Sequence, residues 1–500
     1  MAGARQIERF LFLVPNSRWF GKRCWMWYAP AVPLLVPVLR RRGYDVAVLE
    51  ANIDDLTQDQ VRARLRAYGP DAVGITNMSL EYWRQAHLCA RLAKEEAPES
   101  VTIMGGVHPT ALPERVLADE HVDFVVLSEG ERRLPALLEA LRSNTPDLAG
   151  IDGLGYRAGG KLRLQPPSEW LEDLDSLPLP DYTLFDWRKV MGTAQAGAAG
   201  GMCTKRTPVC ATMTSRGCPY RCCFCAGWRT MGRQIRARSP AHVLREIDML
   251  VNEYGVRELV FQDDEMYFDR PRAVAIIEGI KTRNYDLIWK NSNLAAWRMD
   301  YELLKLMKES GCYQVVMSPE SGSARVLKQI IHKPGSKQHC RDLARWCKEL
   351  DLELAADFVI GFPGETWDEM RETAAFAEEL DADAVKFAVA TPFPGTELFE
   401  LAVKRGLLPA DFDFYRDDAL GFANPVIETE EFTRQELRMF RCMEWDRINF
   451  KTKAKAERYR RINPMSERQL AAFRRDTRRK LGLHFVEQPG GCGSVEPEHG

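Results

Sequence analysis

The segment SRGCPYRCCFCAGW, residues 215–228, places four of the chain's thirteen cysteines within eight positions. It follows the strand-like run VCATMTS and precedes a helical stretch, so it is predicted to be a loop at the carboxyl end of a strand. Three thiolates at positions i, i+4 and i+7 can bind three irons of a cubane cluster and leave the fourth iron open. The spacing therefore favours an iron-sulfur site on Cys218, Cys222 and Cys225.

A closed zinc site is the alternative interpretation of this loop. Such a site needs four protein ligands, and Cys223 or the more distant Cys203 or Cys210 could supply the fourth. The neighbours of Cys223 at i−1 and i+2 already occupy ligand positions, so we interpret its thiol as a packed side chain.

The loop lies in a region of alternating strands and helices, residues 209–410. Six strand-like runs with long crossovers predict a partial β/α barrel of the TIM type, whose chemistry lies at the carboxyl ends of its strands. We expect a helical C-terminal region at residues 411–486 and a disordered tail at 487–500.

Residues 1–143 show a similar alternation of short aliphatic runs and amphipathic helices. This pattern predicts an α/β domain with a doubly wound, Rossmann-like parallel sheet. The rhythm is lost over residues 144–208, which carry LEDLDSLPLPDYTLFDW and the small-residue run AQAGAAGGM and are predicted to be a linker.

The composition narrows the class of protein. The chain has 500 residues, of which 45% are hydrophobic, and a formal net charge of −2, which suits two or three domains with apolar cores. No apolar stretch is long enough to span a membrane, and the N-terminus becomes polar too soon for a secretory signal. Scattered cysteines in odd number argue against a disulfide framework, so we expect a cytoplasmic protein.

The motif CxxxCxxC, with Phe224 before the last cysteine, resembles the signature of the radical S-adenosylmethionine (SAM) superfamily. The resemblance implies a 4Fe-4S cluster on the three cysteines, SAM chelated at the open iron, and Phe224 against the adenine. It also implies SAM contacts at the ends of later strands: Asp263, Asp264 and Glu265 for the amino group, Ser318 and Glu320 for the ribose and carboxylate, and the backbone around Ile360 and Gly361 for adenine. N-capping of the next helix is the alternative role for the acidic residues at 263–265.

The segments GITNMSLEYW, IMGGVHPTALPERVL and VLSEGERRLPALLEAL resemble the cobalamin-binding domain of cobalamin-dependent radical SAM enzymes. The likeness spans residues 8–410. It implies cobalamin contacts from Thr76, Asn77 and Ser79, from Gly105 and Gly106, and, near the domain junction, from Glu129, Gly130 and Glu131. Tight turns are the alternative explanation for the glycines.

The first loop departs from one pattern of such domains. Where a DxHxxG sequence gives the cobalt a histidine, this chain has PNSRWFGKRCWMW. We therefore expect no lower axial histidine, and a hydrogen-bonding role for His108. The aromatic residues of this region could pack on the corrin or form an ordinary interdomain contact: Trp19, Phe20, Trp25, Trp27 and Tyr28.

Residues 451–480 hold 12 Lys or Arg and 3 Asp or Glu. Without a nucleic-acid-binding signature they predict a solvated helical face, not a nucleic-acid site.

The resemblance predicts a methyltransferase that acts through a 5'-deoxyadenosyl radical and methylcobalamin on an unactivated carbon or phosphorus of a small molecule. The alternative within enzymes is a cyclase or oxidase that transfers no methyl group. Outside enzymes, the alternative is an iron-sulfur electron carrier or a cobalamin-responsive binding protein. A flavodoxin or ferredoxin is the expected reducing partner.

Overall fold

The computed structural model describes residues 6–21, 28–192, 203–416 and 421–480 of the chain. The first domain is built on a seven-stranded sheet with the spatial order β2-β1-β3-β4-β5-β6-β7. Its strands are β1 (Arg9–Val14), β2 (Asp45–Glu50), β3 (Ala72–Asn77), β4 (Val101–Gly106), β5 (Phe124–Val126), β6 (Leu154–Ala158) and β7 (Lys161–Leu164).

The first five strands run parallel. They are buried on both sides because helices cover both faces of the sheet. The predicted doubly wound domain is thus present. Its helices are α1 (Ala31–Arg40), α2 (Gln58–Tyr68), α3 (Trp83–Glu96), α4 (Val107–Ala111), α5 (Pro113–Leu117) and α6 (Gly130–Arg142).

The linker predicted at residues 144–208 is wrong in its first part. β6 and β7 form an antiparallel hairpin that extends the first sheet beyond β5. Gly155 makes this possible, because a Cβ there would come within 2.6 Å of Val125 and 3.0 Å of Leu164. After the hairpin comes α7 (Trp187–Gly192), while the small-residue run lies mostly outside the described residues.

The second domain is a partial barrel of six parallel strands in the order β15-β14-β13-β12-β11-β8, as predicted. Its six strands are β8 (Val209–Thr212), β11 (Glu258–Phe261), β12 (Ile288–Leu294), β13 (Cys312–Glu320), β14 (Glu353–Ile360) and β15 (Ala384–Val389), and the short strands β9 (Ser215–Arg216) and β10 (Arg236–Ala237) form a separate pair.

The helices of this domain alternate with its strands, and side-chain N-caps begin several of them, as at Ser239, Asp300 and Thr366. The helices are α8 (Gly227–Met231), α9 (Pro240–Asn252), α10 (Arg270–Arg283), α11 (Tyr301–Glu309), α12 (Lys337–Glu349), α13 (Trp367–Glu379) and α14 (Glu397–Lys404).

Three helices follow, α15 (Arg434–Phe450), α16 (Lys453–Ile462) and α17 (Glu467–Lys480). The side chain of Asn449 donates to the carbonyl of Val385 and accepts from its N–H, both at 2.8 Å, so α15 pairs with the free edge of β15. No helix in the described part of the chain is both long and apolar enough to cross a membrane. The tail at 487–500 lies outside the described residues.

The basic stretch packs against the barrel rather than standing free in solvent. Lys455, which is buried, and Arg458 contact Asp381, which precedes β15. Arg474 and Arg478 bind Asp446 of α15. The predicted solvated face is therefore only partly correct, because many of these cations have carboxylate partners within the chain.

Candidate active site at the domain junction

The loop that carries the cysteines is closed at its base by the antiparallel pair of β9 and β10. Gly217, next to Cys218, has a φ of +91°, and a Cβ there would overlap with the carbonyl oxygen of Gln234. Glycine is required at this position because it tolerates both the backbone conformation and the close approach. The two ends of the loop are therefore fixed before any cofactor binds.

The three predicted ligand thiols interact electrostatically on this loop. Burial raises the pKa of Cys218 to about 12 and that of Cys222 to about 11, and Cys225 adds to both shifts. Among the residues described, no three Cys, His, Asp or Glu side chains converge as a ready-made metal site. Three thiols on one loop are the donors that an iron-sulfur cluster takes, so the set fits the group while the ligand assignment stays a prediction.

Cys223 is the one buried thiol among the four cysteines of the loop. It is 6% exposed and belongs to an apolar cluster with Val326, Ile331 and Leu398. Its backbone is fixed as well, since its N–H donates to Ile331 and its carbonyl accepts from Leu398, both at 3.0 Å. This agrees with a packed thiol.

Asp263 holds the polypeptide that leads into the cysteine loop. Its buried carboxylate accepts from the N–H and hydroxyl of Thr214 and from the hydroxyl of Ser215, at 2.6–3.0 Å. Its oxygens thus bind the segment before Cys218, and a contact of Asp263 with SAM stays a prediction.

Glu265 has the properties expected of a SAM contact. Burial raises the pKa of its carboxyl to about 7, and its buried Oε2 has no hydrogen-bond partner in the described ranges, although Arg298 Nε lies 3.5 Å away. Arg298 also donates to the hydroxyl of Tyr220 at 2.8 Å, which links this carboxyl to the cysteine loop. An orphaned, buried carboxylate oxygen beside the loop suits a ligand ammonium group.

The ends of three strands are connected by side chains at the barrel mouth. Asn293 donates to the carbonyl of Asp264 at 3.3 Å and accepts from the hydroxyl of Ser318 at 3.4 Å. Burial, together with Asp263, raises the pKa of Asp264 to about 6. The sequence-predicted residues Asp264 and Ser318 are thus brought together, through an asparagine that no motif marks.

Glu320 ends β13 with a left-handed φ of +63° and is held by a half-buried lysine. Lys333 Nζ lies 2.6 Å from Glu320 Oε1 and 2.8 Å from the carbonyl of Ser318, across a register shift in β13. The sequence does not single out Lys333, because no spacing relates it to the strand that it clamps.

The backbone around Ile360 and Gly361 is partly engaged within the protein, and its expected role toward adenine stays a prediction. The N–H groups of Gly361 and Phe362 donate to Glu365 Oε2 at 2.7 and 3.0 Å, and the carbonyl of Ile360 accepts from Ala390. A Cβ on Gly361 would overlap with Leu437 of α15, so this glycine serves packing. Phe224 remains half-buried at the loop, its ring centroid 5.8 Å from that of Phe362.

In the first domain, the expected cobalamin contacts lie together at the carboxyl ends of β3 and β4. Thr76 and Ser79 are half-buried, and Gly105 leaves open space, since a Cβ there would meet only Val126 O at 3.7 Å. Gly106 differs, because with a φ of +106° it packs on the carbonyl of Asn77. The hydroxyls and the open glycine suit a polar ligand at this edge, whereas Gly106 serves the contact between β3 and β4.

His108 has the hydrogen-bonding role that its position predicts. Its Nδ1 lies 3.2 Å from Asn77 Nδ2 and its Nε2 2.9 Å from the hydroxyl of Tyr415, so both ring nitrogens are engaged. Burial lowers the pKa of His108 to about 3. Tyr415 stacks on Trp83 with ring centroids 4.2 Å apart, which fastens the segment after the barrel to the first domain.

Glu129 and Glu131 lie at the domain junction, as predicted, but their carboxylates bind arginines of the barrel. Arg216 lies 3.0 Å from Glu129 and 2.6 Å from Glu131, and Arg236 lies 2.7 Å from Glu129, all with buried side chains. Their side chains are thus engaged across the junction, and a contact with cobalamin stays a prediction. Gly130 packs against Leu35 at ordinary distance.

The aromatic residues of the first loop divide between the two domains. The ring of Trp19 donates to Leu56 at 3.0 Å within the first domain, and Phe20 is 53% exposed. The hydroxyl of Tyr28 donates at 3.2 Å to the carbonyl of Ala211 in β8, an interdomain contact. Trp25 and Trp27 lie outside the described residues.

Two family models match the chain: the B12 binding domain at residues 27–138 and the radical SAM superfamily at residues 212–377. An uncharacterized methyltransferase of Pyrococcus horikoshii is 33% identical over 86% of this chain and 90% of its own length. The cytidylyl-2-hydroxyethylphosphonate methyltransferase of Streptomyces wedmorensis is 29% identical, over 82% and 85% respectively.

The anaerobic magnesium-protoporphyrin IX monomethyl ester cyclase of Rubrivivax gelatinosus is also 29% identical, over 86% of this chain and 75% of its own. Among solved structures, the radical SAM methyltransferase TsrM of Kitasatospora setae, with cobalamin and a 4Fe-4S cluster bound, covers 81% of this chain and 76% of its own with a TM-score of 0.66 at 19% identity. The similarity thus extends over both domains.

Proposed function

Because the chain belongs to the cobalamin-dependent radical SAM enzymes, we propose that it methylates an unactivated carbon, or a phosphorus, of a small biosynthetic intermediate. Its cofactors are a 4Fe-4S cluster, SAM and cobalamin. When bound, the cluster and SAM supply a 5'-deoxyadenosyl radical that removes a hydrogen atom from the substrate, and cobalamin supplies the methyl group.

One observation carries the proposal: the carboxyl ends of both parallel sheets meet at the domain junction. Ser128, which follows β5, donates to the carbonyl of Arg229 in α8 at 2.7 Å, and α8 begins two residues after Cys225. Ligands of such sheets bind at the carboxyl ends of the strands, so a cofactor on the first sheet would face the cysteine loop. A substrate bound between the first sheet and the cysteine loop would therefore be within reach of both cofactors.

The chain's own residues divide the remaining work. Cys218, Cys222 and Cys225 would hold the cluster, while Glu265 offers its unpartnered oxygen to the amino group of SAM. Glu320, fixed by Lys333, would reach the ribose or carboxylate. On the first domain, a polar cofactor would meet the two hydroxyls and the open glycine at the ends of β3 and β4: Thr76, Ser79 and Gly105.

A second candidate function is an oxidation or cyclisation without methyl transfer. The 29% identity to the anaerobic cyclase of Rubrivivax gelatinosus, over 86% of this chain, supports it. Both reactions would begin with the same radical, so the fate of the methyl group distinguishes them.

The test supplies reconstituted, reduced enzyme with SAM labelled with carbon-13 in its methyl group and a metabolite extract. Methylation predicts a labelled product with 5'-deoxyadenosine and S-adenosylhomocysteine in a ratio near one to one, because radical and methyl group come from different SAM molecules. With the isolated substrate, deuterium at the reacting carbon should pass to 5'-deoxyadenosine. An oxidised or cyclised product without S-adenosylhomocysteine would assign the second function instead.

The proposal includes a reducing partner and a cellular location. A flavodoxin or ferredoxin would supply the electron, because the cluster must be reduced before SAM is cleaved. An oxygen-sensitive cluster and eleven described cysteines without a disulfide suit the cytoplasm. Replacement of dithionite by reduced flavodoxin or ferredoxin should sustain SAM cleavage.

A further inference from the structure

Two arginines of α15 differ from their neighbours on the same helix. Arg434 lies 2.9 Å from Glu428, and Arg447 lies 2.5 Å from Glu378 and 2.8 Å from Glu444. By contrast, Arg438 and Arg441 form no ion pair in the described part of the chain, and the Nε atom of each is buried without a hydrogen-bond partner. Among the described residues, the side chain of Arg441 makes one hydrogen bond, from Nη1 to the carbonyl of Phe387 at 3.2 Å.

This arrangement is unfavourable for a protein without a ligand. Guanidinium groups stay charged, and although both side chains are only half-buried, each keeps its Nε out of water without a partner, which costs free energy of solvation. The two side chains are at positions i and i+3, where like charges repel. Burial lowers the pKa of Arg441, and the neighbouring Arg438 lowers it further. An anion between the two would offset both costs.

The pair lies along the open edge of the barrel near its carboxyl end. Asn449 and Arg441 both bind backbone atoms of β15, and Arg438 continues this stripe of α15 toward the end of the strand. Leu437, beside Arg438, packs over Gly361, the residue that follows β14. The pair therefore borders the end of the barrel where the cysteine loop lies.

We infer that Arg438 and Arg441 bind a phosphoryl group carried by the substrate. Two adjacent guanidinium groups can each donate two parallel hydrogen bonds to phosphoryl oxygens, which gives orientation as well as affinity. The inference rests on the proposed function for the source of the group, whereas the binding itself needs only the two arginines.

The test uses the reconstituted holoenzyme with inorganic phosphate as the probe. Thermal unfolding and titration calorimetry are measured for wild type, R438Q/R441Q, and the matched control R434Q, whose arginine has a carboxylate partner. Potassium chloride at equal ionic strength is the reference. We expect phosphate to stabilise wild type and R434Q but not R438Q/R441Q, with at least a tenfold loss of affinity in the double variant.

A second readout separates this site from a structural role. Without phosphate, R438Q/R441Q should melt at the same or a higher temperature than wild type, since the removal of two charges without ion-pair partners offsets the loss of the bond from Arg441 to Phe387, and the order should reverse at saturating phosphate. R438K/R441K should bind phosphate more weakly than wild type but better than the glutamine variant. Equal phosphate affinity in wild type and R438Q/R441Q, or none in wild type above the chloride reference, would overturn the inference.

The source of the phosphoryl group is tested separately from the site. SAM cleavage without substrate should be unchanged in R438Q/R441Q, because neither arginine contacts the cysteine loop. A methylated product that bears a phosphoryl group, with a KM raised tenfold or more in this variant, supports the substrate as the source. A methylated product without such a group would overturn that assignment, and the absence of any methylated product would count against the proposed function while the phosphate affinity still decides the site.

Discussion

Arg216 Nη2 lies 2.6 Å from Glu131 Oε1, so a residue two positions before Cys218 is held by the first turn of helix α6 in the other domain. Both side chains are buried. The position of the cysteine loop therefore depends on the cobalamin-binding domain as well as on the barrel.

Replacing Glu131 by leucine should lower the free energy of unfolding by about 3 kcal/mol, because Arg216 loses one of its two carboxylate partners in a buried site. The matched control is Glu139→Leu in the same helix, whose exposed ion pair with Arg42 should be worth less than about 1 kcal/mol. Denaturant titration measures both. Equal losses would contradict a buried interdomain pair.

Alanine at Cys218, Cys222 or Cys225 should abolish the 4Fe-4S cluster, because an open-iron cubane takes three protein thiolates. Alanine at Cys223 should keep it and cost about 1 kcal/mol of stability, since this thiol packs in an apolar cluster. Iron and sulfide content after anaerobic reconstitution measures the difference. Iron loss in the Cys223 variant equal to that of the other three would reassign the ligands.

Gly217→Ala should weaken cluster retention and cost about 1–3 kcal/mol, because the added Cβ meets a carbonyl oxygen in a left-handed backbone. Gly255→Ala separates strain from overlap, since Gly255 also has a positive φ but no atom within 4 Å of an added Cβ. Iron content should fall in the first variant alone. A cluster equally stable in both would show that the closed base of the loop is dispensable.

His108→Gln should leave the cobalt spectrum unchanged, because both nitrogens of the native imidazole bind protein groups. The electron paramagnetic resonance of the cob(II)alamin form reports the lower axial ligand. Superhyperfine splitting from a protein nitrogen in wild type that disappears in the variant would refute this expectation.

The same substitution should alter the response of stability to acid. The pKa of His108 is lowered to about 3 by burial, with His87 and Arg115 adding to the shift, whereas the unfolded value is about 6.5. The unfolded chain then binds the extra proton, so stability is lost as the pH falls below about 6.5. Between pH 7 and 5 wild type should lose about 2 kcal/mol more than His108→Gln. If wild type and His108→Gln lost the same free energy of unfolding between pH 7 and 5, a buried neutral imidazole would be contradicted.

The sequence was sufficient for features that depend on local patterns. The cysteine spacing and the alternation of strands and helices predict the loop, the barrel and the first sheet. Both patterns depend only on residues that are close together in the sequence. The β6–β7 hairpin escaped prediction, since its pairing with β5 depends on Gly155 fitting against side chains that are distant in sequence.

Side-chain roles were harder to predict because charge partners come from other elements. Asp263 and Glu131 have the residue type expected of ligand contacts, yet Thr214 and Arg216 satisfy them. Conversely, Lys333 and Tyr415 do not belong to any motif that would mark them as site residues. Their positions follow only from the packing of the strand ends and of the first domain.

The contact of Asn449 with Val385 affects how the chain meets other copies of itself. β15 is the last strand of an unclosed barrel, and an unpaired strand edge is a template for association. Asn449 occupies the N–H and the carbonyl of Val385 with one amide, as a neighbouring strand would. Helix α15 therefore protects the barrel against edge-to-edge aggregation, and a fragment that ends before Arg434 would expose the part of that edge around Val385.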